Sequence, residues 1–330
     1  MVFVQDFKTD LFNTTEANFE AKSLSVFKYQ YQHNTLYHNY VNALGINPLQ
    51  VVSVEQIPFL PISFFKNHKI VSTENKYDSY FESSGTTSSH RSRLYFHDEE
   101  FYLKNAVFIF ENRFGSLQEY TFFFLLPSYL ERKSSSLVSM ANRFYQLSDQ
   151  SFGGFYLYDF IALEIALQKA LLLNKKIILW GVTFALLDFV AQLSRELSGL
   201  IVFETGGMKG RGKEPLRSEV HQLIKQKLNP KAVYSEYGMT ELFSQAYTST
   251  QETFVCPPQM KILIRDVEDP LHVQTKIGHR GGINVIDLAN IDTCSFIETQ
   301  DLGMLTNEGF QILGRFDNSD VRGCNLMVLS

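Results

Sequence analysis

Hydrophobic and polar positions are spread unevenly along the 330 residues. The first eighty are polar and aromatic, rich in Tyr, Asn and Gln, and predict helices followed by an extended approach. Within them, Pro58 and Pro61 keep the apolar segment Ile57-Pro58-Phe59-Leu60-Pro61-Ile62 out of helical conformation. Helical spacing then runs from Glu100 to Asn112, and the continuous apolar run from Tyr120 to Leu126 suits a buried strand.

Beyond that point strands and helices alternate. Helices are expected over 134–146, 156–173, 184–197 and 216–228, and buried strands over 176–180, 200–203 and 232–235. This rhythm predicts an α/β fold with a largely parallel sheet. From Lys261 the character changes. Ile262-Leu263-Ile264, Ile283-Asn284-Val285-Ile286 and Gln311-Ile312-Leu313 are short strands between Gly and Asp turns, with no helix between them. The expected division is an α/β core over 1–260 and a small β-rich subdomain over 261–330.

Composition narrows the function classes. At 45% hydrophobic and 20% charged residues, the chain can bury one large or two medium cores. A net charge of −5, with Lys and Arg scattered, supplies no basic field for nucleic acid. The start Met1-Val2-Phe3-Val4-Gln5-Asp6-Phe7 lacks the pattern of a signal peptide, and no apolar stretch is long enough to span a bilayer, so a cytoplasmic location is expected. Cys256, Cys294 and Cys324 form neither an even framework nor a metal-binding spacing, which fits a reduced compartment. The 29 Phe against one Trp imply a Phe-rich core and permit a lipid-lined pocket.

Four stretches carry candidate chemistry. In Ser83-Ser84-Gly85-Thr86-Thr87-Ser88-Ser89-His90, hydroxyl groups flank a glycine, so N–H and O–H donors can converge on an anion; the same composition also makes a plain surface turn. Thr205-Gly206-Gly207-Met208-Lys209-Gly210-Arg211-Gly212-Lys213 has the spacing of a P-loop between Gly207 and Lys213. The match fails at Glu214, where a hydroxyl for magnesium is required. Tyr234-Ser235-Glu236-Tyr237-Gly238-Met239-Thr240-Glu241 brings a ring, a hydroxyl and a carboxylate to a strand end, the place where open α/β sheets hold ligands; a solvated turn is the alternative. Finally, Gly281–Asp287 precedes Thr299-Gln300-Asp301-Leu302-Gly303, in which Asp301 reads as a turn residue, and Gly314-Arg315-Phe316-Asp317.

In this order, the Ser83–Thr87 loop, Tyr237-Gly238-Met239-Thr240-Glu241, Asp301-Leu302-Gly303 and Gly314-Arg315-Phe316-Asp317 resemble the phosphate loop, the Tyr-Gly-x-Thr-Glu motif, the ribose-binding Asp and the hinge Arg/Asp of adenylate-forming enzymes. Within that superfamily the chain is most similar to the acyl-protein synthetases of bacterial fatty-acid reductase complexes. Its short length, a loop without the usual Gly-x-x-Lys continuation, Phe203-Glu204-Thr205-Gly206-Gly207 and Arg322-Gly323-Cys324 carry that likeness.

The resemblance implies a large adenylation domain with layered, mostly parallel sheets, ATP and Mg2+ as cofactors, and a fatty or other carboxylic acid as substrate. It implies that Ser83, Ser84, Gly85, Thr86 and Thr87 hold phosphate, with Gly206, Gly207, Gly238 and Thr240 also at the nucleotide. Tyr237 is then at adenine, Glu241 at magnesium, and Asp301 with Arg315 at ribose. The mobile carboxyl-terminal domain with its catalytic lysine is expected to be absent, leaving Lys209, Arg211, Lys213, Arg93 and His90 as candidates for the charge at the α-phosphate.

Cys324, two positions from Arg322, is the expected acyl acceptor from which an acyl reductase partner would draw; it equally suits a small apolar position in a final strand. A ligase using coenzyme A or another free thiol, and a nonenzymatic descendant that binds nucleotide or a partner, are the other classes consistent with these residues.

Overall fold

Three helices open the chain: α1 (Val2–Asp10), α2 (Glu16–His33) and α3 (Thr35–Ala43). A computed structural model describes residues 2–72, 77, 79–84, 91–126, 134–195, 197–206, 215–249 and 253–316. Asn18 reaches back to accept from Thr15 N at 2.8 Å, and Asn34 caps α3 by accepting from Tyr37 N at 3.0 Å, so side chains close the unpaired first turns of α2 and α3. The proline-bounded segment is extended as expected and contributes β1 (Leu60–Pro61), followed by the single turn α4 (Phe64–Asn67). An antiparallel ribbon follows, β2 (Ser79–Glu82) against β3 (Arg93–Phe96).

The alternating part comprises α5 (Glu99–Phe114), β4 (Tyr120–Leu125), α6 (Ser136–Leu147), β5 (Gly154–Phe155), α7 (Phe160–Leu172), β6 (Lys176–Val182), α8 (Thr183–Gln192), β7 (Ile201–Thr205), α9 (Arg217–Leu228) and β8 (Ala232–Tyr237). Strands β5, β4, β6, β7 and β8 lie parallel in that spatial order. The strand β4 is buried at every position, the signature of a strand covered on both faces. Helix α7 begins four residues later than its spacing predicts, because Asp159 caps it by accepting from Ala162 N at 2.9 Å and the preceding Gly154–Phe155 pairs with β4.

The chain then turns antiparallel through β9 (Ala246–Thr248), β10 (Phe254–Val255), β11 (Met260–Arg265), β12 (Val273–Gln274), β13 (Arg280–Asp287), β14 (Phe296–Leu305) and β15 (Phe310–Arg315). One sheet runs through both halves, in the order β12-β11-β13-β14-β15-β10-β9-β8-β7-β6-β4-β5, with β1 added in parallel to β14. The seam is the antiparallel pair of β8 and β9.

The core is aromatic. Trp180 stacks on Phe203 with centroids 4.6 Å apart, and Phe110, Phe122, Phe144 and Tyr247 close around it.

One expectation is corrected here. Asp301 is not in a turn; it lies in the middle of the ten-residue β14, opposite Arg315 of β15. Burial along β14 alternates in its central part, with Thr299, Asp301 and Gly303 inward, but two of those inward positions are polar and the third is glycine. A hydrophobicity pattern therefore conceals the strand. Gly303 is required: a Cβ there would lie 2.5 Å from Ile283 Cδ1 and 2.7 Å from the Gln311 carbonyl oxygen, at a register shift between β14 and β15.

Candidate functional site

The β2–β3 ribbon brings the first candidate residues into place. Phe81 anchors it against Phe96 and Tyr102, at 4.5 and 4.8 Å between centroids. Past Glu82, Ser83 N donates to Ser92 O at 3.0 Å, and Ser92 N donates to Ser83 Oγ at 3.0 Å. The Ser83–Ser92 pair thus closes the ribbon, and Ser84 begins the connecting stretch. Gly85, Thr86, Thr87 and His90 lie outside the described residues, as do Gly207, Lys209, Arg211, Lys213 and Cys324.

Ser92 also links the ribbon to the turn after β8. Its side chain hydrogen-bonds the Glu241 carboxylate. Glu241 is buried, and desolvation pushes its carboxyl up, offset in part by that hydrogen bond and by the positive fields of Lys66 and Arg315. The turn is held from beneath. Asp287 Oδ2 accepts from Phe243 N at 2.9 Å and Ser244 N at 2.8 Å, Asp287 Oδ1 accepts from Ser244 Oγ at 2.7 Å, and Asn290 Nδ2 donates to the Glu241 carbonyl at 2.7 Å. Gly238 and Thr240 occupy the exposed and half-buried part of the same turn.

Tyr237, the last residue of β8, donates from its hydroxyl to Asp301 Oδ2 at 2.9 Å, and Arg315 Nε lies 3.2 Å from Asp301 Oδ1. These three come from β8, β14 and β15. The Tyr237 ring is buried against Phe254 and Phe310, at 5.8 and 5.3 Å, and burial followed by the Asp301 charge pushes its hydroxyl well up. Of the residues expected at adenine and ribose, Tyr237 is therefore mostly covered, Asp301 is buried with its oxygens engaged, and Arg315 is largely exposed.

Gly206 follows β7 at φ 76°, and its carbonyl accepts from Thr183 Oγ1 at 3.2 Å. Behind it runs a buried polar chain. Thr183 and Ser235 both donate to Glu204, the latter at 2.8 Å, and His221 Nε2 lies 2.8 Å from Ser235 Oγ. Burial takes His221 down to about 4 and raises Glu236, the residue after Ser235 in β8, to about 8.

Lys66, Ser92 and Asn290 carry no motif signal, and Asp287 ends the Gly281–Asp287 stretch without a role assigned to it there. Ser92 closes a stretch whose other end alone reads as phosphate-like, and Lys66 is brought near Glu241 only by tertiary folding.

Magnesium prefers oxygen ligands and binds through one or two carboxylates together with substrate phosphates. Glu241 is the single carboxylate in the turn after β8, and no group of three or more His, Cys, Asp or Glu able to hold a metal occurs among the described residues. The donor set fits an ion carried in on phosphates. Among the described residues no helix is long and apolar enough to cross a membrane.

The family model of the acyl-protein synthetase LuxE matches residues 8–97. No curated protein matches the chain. Among solved structures, a fatty acyl-adenylate ligase from Legionella pneumophila in complex with acyl adenylate and pyrophosphate superposes with a TM-score of 0.50 at 14% identity, over 76% of this chain and 52% of the ligase. A fatty acid AMP ligase from Legionella pneumophila gives the same figures, a TM-score of 0.50, 14% identity, and 76% and 52% coverage. A multidomain structure of a keto acid-selecting nonribosomal peptide synthetase module, containing adenylation, ketoreductase and pseudo Asub parts, gives 0.50 at 13% identity, over 84% of this chain and 27% of that one. The chain spans about half the length of the two ligases. It resembles the LuxE acyl-protein synthetases and has the mixed α/β fold of the adenylate-forming superfamily.

Proposed function

We propose that the chain activates a fatty acid with ATP and passes the acyl group to a protein thiol. A carboxylate oxygen of the acid attacks the α-phosphorus of ATP, the bond from that phosphorus to the bridging oxygen breaks, and its electron pair leaves with pyrophosphate. Acyl-adenylate remains. A thiolate then attacks the acyl carbonyl, the carbonyl carbon's bond to AMP breaks, and AMP leaves as the thioester forms. Little covalent chemistry falls to side chains in the first step; positioning and charge stabilisation do most of it.

The observation that carries this reading is a convergence. Ser83, Tyr237 with Glu241, Asp301, and Arg315 stand in four separate stretches of sequence. Hydrogen bonds and charge join them through Ser92 and Asp301 into one locus beside the sheet seam. The likeness to fatty acyl-adenylate ligases in fold, and to acyl-protein synthetases over residues 8–97, supports the same reaction class.

The proposed roles follow. Ser83 and Ser84, with Gly85, Thr86 and Thr87, face the phosphates. Gly206, Gly207, Gly238 and Thr240 border the nucleotide, Tyr237 stands at adenine, and Asp301 with Arg315 at ribose. Glu241 holds magnesium, which when bound neutralises phosphoryl charge.

For the acceptor, Cys294 is buried and Cys256 half-buried, and desolvation pushes both thiols up to about 12, which leaves little thiolate at neutral pH. We therefore assign acceptance to Cys324. Incubation with labelled fatty acid and ATP should leave a hydroxylamine-sensitive label on the protein. In Cys324→Ser the label should vanish while acyl-adenylate still forms. A thioester that persists in Cys324→Ser would sink the assignment, and an acyl group found only on added coenzyme A would favour a free-thiol ligase.

A further inference from the structure

Between α4 with its following segment and the β2–β3 ribbon lies a cavity of about 260 Å³. Its lining includes Lys66, His68, Lys69, Arg91, Arg93 and one carboxylate, Glu82. The carboxylate is already engaged: Arg91 Nη1 lies 2.9 Å from Glu82 Oε2, and Arg93 Nε 3.0 Å from Glu82 Oε1. Glu82 thus fixes both guanidinium groups and neutralises only one of them. Stacking braces the arrangement further, with Arg93 over the Tyr80 ring at 4.8 Å and Lys69 Nζ over Tyr95 at 5.0 Å. Lys66 is exposed and makes no ion pair among the described residues. Arg91 Nε is buried and lacks an acceptor among them.

Four permanent cations facing one carboxylate, in a cavity with walls, constitute a site for a multiply charged anion. Size limits the choice. Pockets for drug-sized ligands run about 300–1,000 Å³, so this cavity suits part of a nucleotide. Its position selects the part, because β2 and β3 end at the Ser83–Ser92 pair that also binds Glu241, and Lys66 acts on Glu241 from the cavity side.

We propose that this cavity takes the β- and γ-phosphates of ATP and then the departing pyrophosphate, with Lys66 as the untethered cation and Arg91 and Arg93 as a clamp preset by Glu82. The chemical identity of the occupant rests on the adenylation reading above; the site itself does not. All of these residues lie within the stretch 8–97 that matches the acyl-protein synthetases. The cavity supplies positive charge from the amino-terminal part of the chain, at residues distinct from Lys209, Arg211 and Lys213.

The test is calorimetric titration of the full chain with inorganic pyrophosphate and tripolyphosphate, and with AMP as the single-phosphate control, at fixed ionic strength. Loss of one charge-assisted contact predicts about tenfold weaker binding. Lys66→Met should therefore bind pyrophosphate and tripolyphosphate about tenfold more weakly than the parent, bind AMP unchanged, and recover with Lys66→Arg. Because Lys66 is exposed, the fold should persist, checked by an unchanged thermal midpoint. Failure of the parent to bind either polyphosphate, or parental affinity in Lys66→Met, overturns the proposal. Polyphosphate binding that depends on Lys66 in a protein without acid-dependent exchange would overturn the reaction and leave the cavity standing. Exchange activity with no dependence of polyphosphate affinity on Lys66 would do the reverse.

Discussion

Two ionisable residues near the site, buried His221 and half-buried Glu236, pull stability in opposite directions with pH. Glu236 accepts from Thr205 and has the Glu204 charge nearby, but burial dominates and lifts its carboxyl from 4.5 to about 8. The folded protein holds a proton that the unfolded chain releases, so its contribution is complete below about 4.5 and is lost as pH rises through 8. His221 is shifted down, from 6.5 to about 4, so its contribution is present above 6.5 and is lost as pH falls through 4. The two oppose each other between about pH 4.5 and 6.5, and only Glu236 acts between 6.5 and 8. Unfolding free energy should decline across that upper window by about 1–2 kcal/mol, on the scale of 1.36 kcal/mol per unit. In Glu236→Gln this decline should be absent. Parallel profiles for parent and variant in urea titrations would mean that the folded protein does not hold Glu236 protonated.

At the scale of elements, the turn after β8 is shaped by β13 and the short turn behind it as much as by its own sequence. Asp287 closes β13 with both oxygens occupied by the 243–244 backbone, the Ser244 hydroxyl and Ala289 N. Asp287→Ala strands those buried donors and should cost about 2–4 kcal/mol, the range for hydrogen bonds to a charged acceptor and for broken buried networks. The urea midpoint should fall with an unchanged slope. A loss under 0.5 kcal/mol would mean that the turn holds itself. The same elements mark what the sequence could tell. The buried runs of β4 and β6, and the capped helices, follow directly from periodicity and capping residues. Strand β14 does not, because Thr299 and Asp301 occupy its inward positions, and the two-residue β5 and β10 are too short to have a period. The sequence singles out Tyr237, Glu241, Asp301 and Arg315 as candidates, and the fold brings them to one locus. That Asp301 sits between Tyr237 and Arg315 is not legible in the sequence, since their pairing depends on the register of β14 with β15.

Across the whole molecule, the parallel and antiparallel halves of one sheet meet at β8 and β9, and the candidate site lies where the carboxyl end of β8 approaches β14, β15 and the β2–β3 ribbon. Open α/β sheets hold ligands at carboxyl strand ends of this kind. The amino-terminal helices serve the same locus from outside: Gln30 donates to the Asn290 carbonyl at 3.0 Å, and Lys8 pairs with Asp292 at 2.5 Å, so α1 and α2 brace the turn that holds Glu241. A molecule built this way should support reversible adenylation. The most direct measurement is exchange of labelled pyrophosphate into ATP over a panel of fatty, aromatic and amino acids, in the parent and in Glu241→Gln. Acid-dependent exchange is predicted in the parent with fatty acids, and its loss in the equally stable Glu241→Gln variant, in which the amide keeps the shape but lacks the charge a hard cation requires. Absence of exchange with every acid, in a folded parent that receives ATP and magnesium, would contradict the assignment of this site to acid activation.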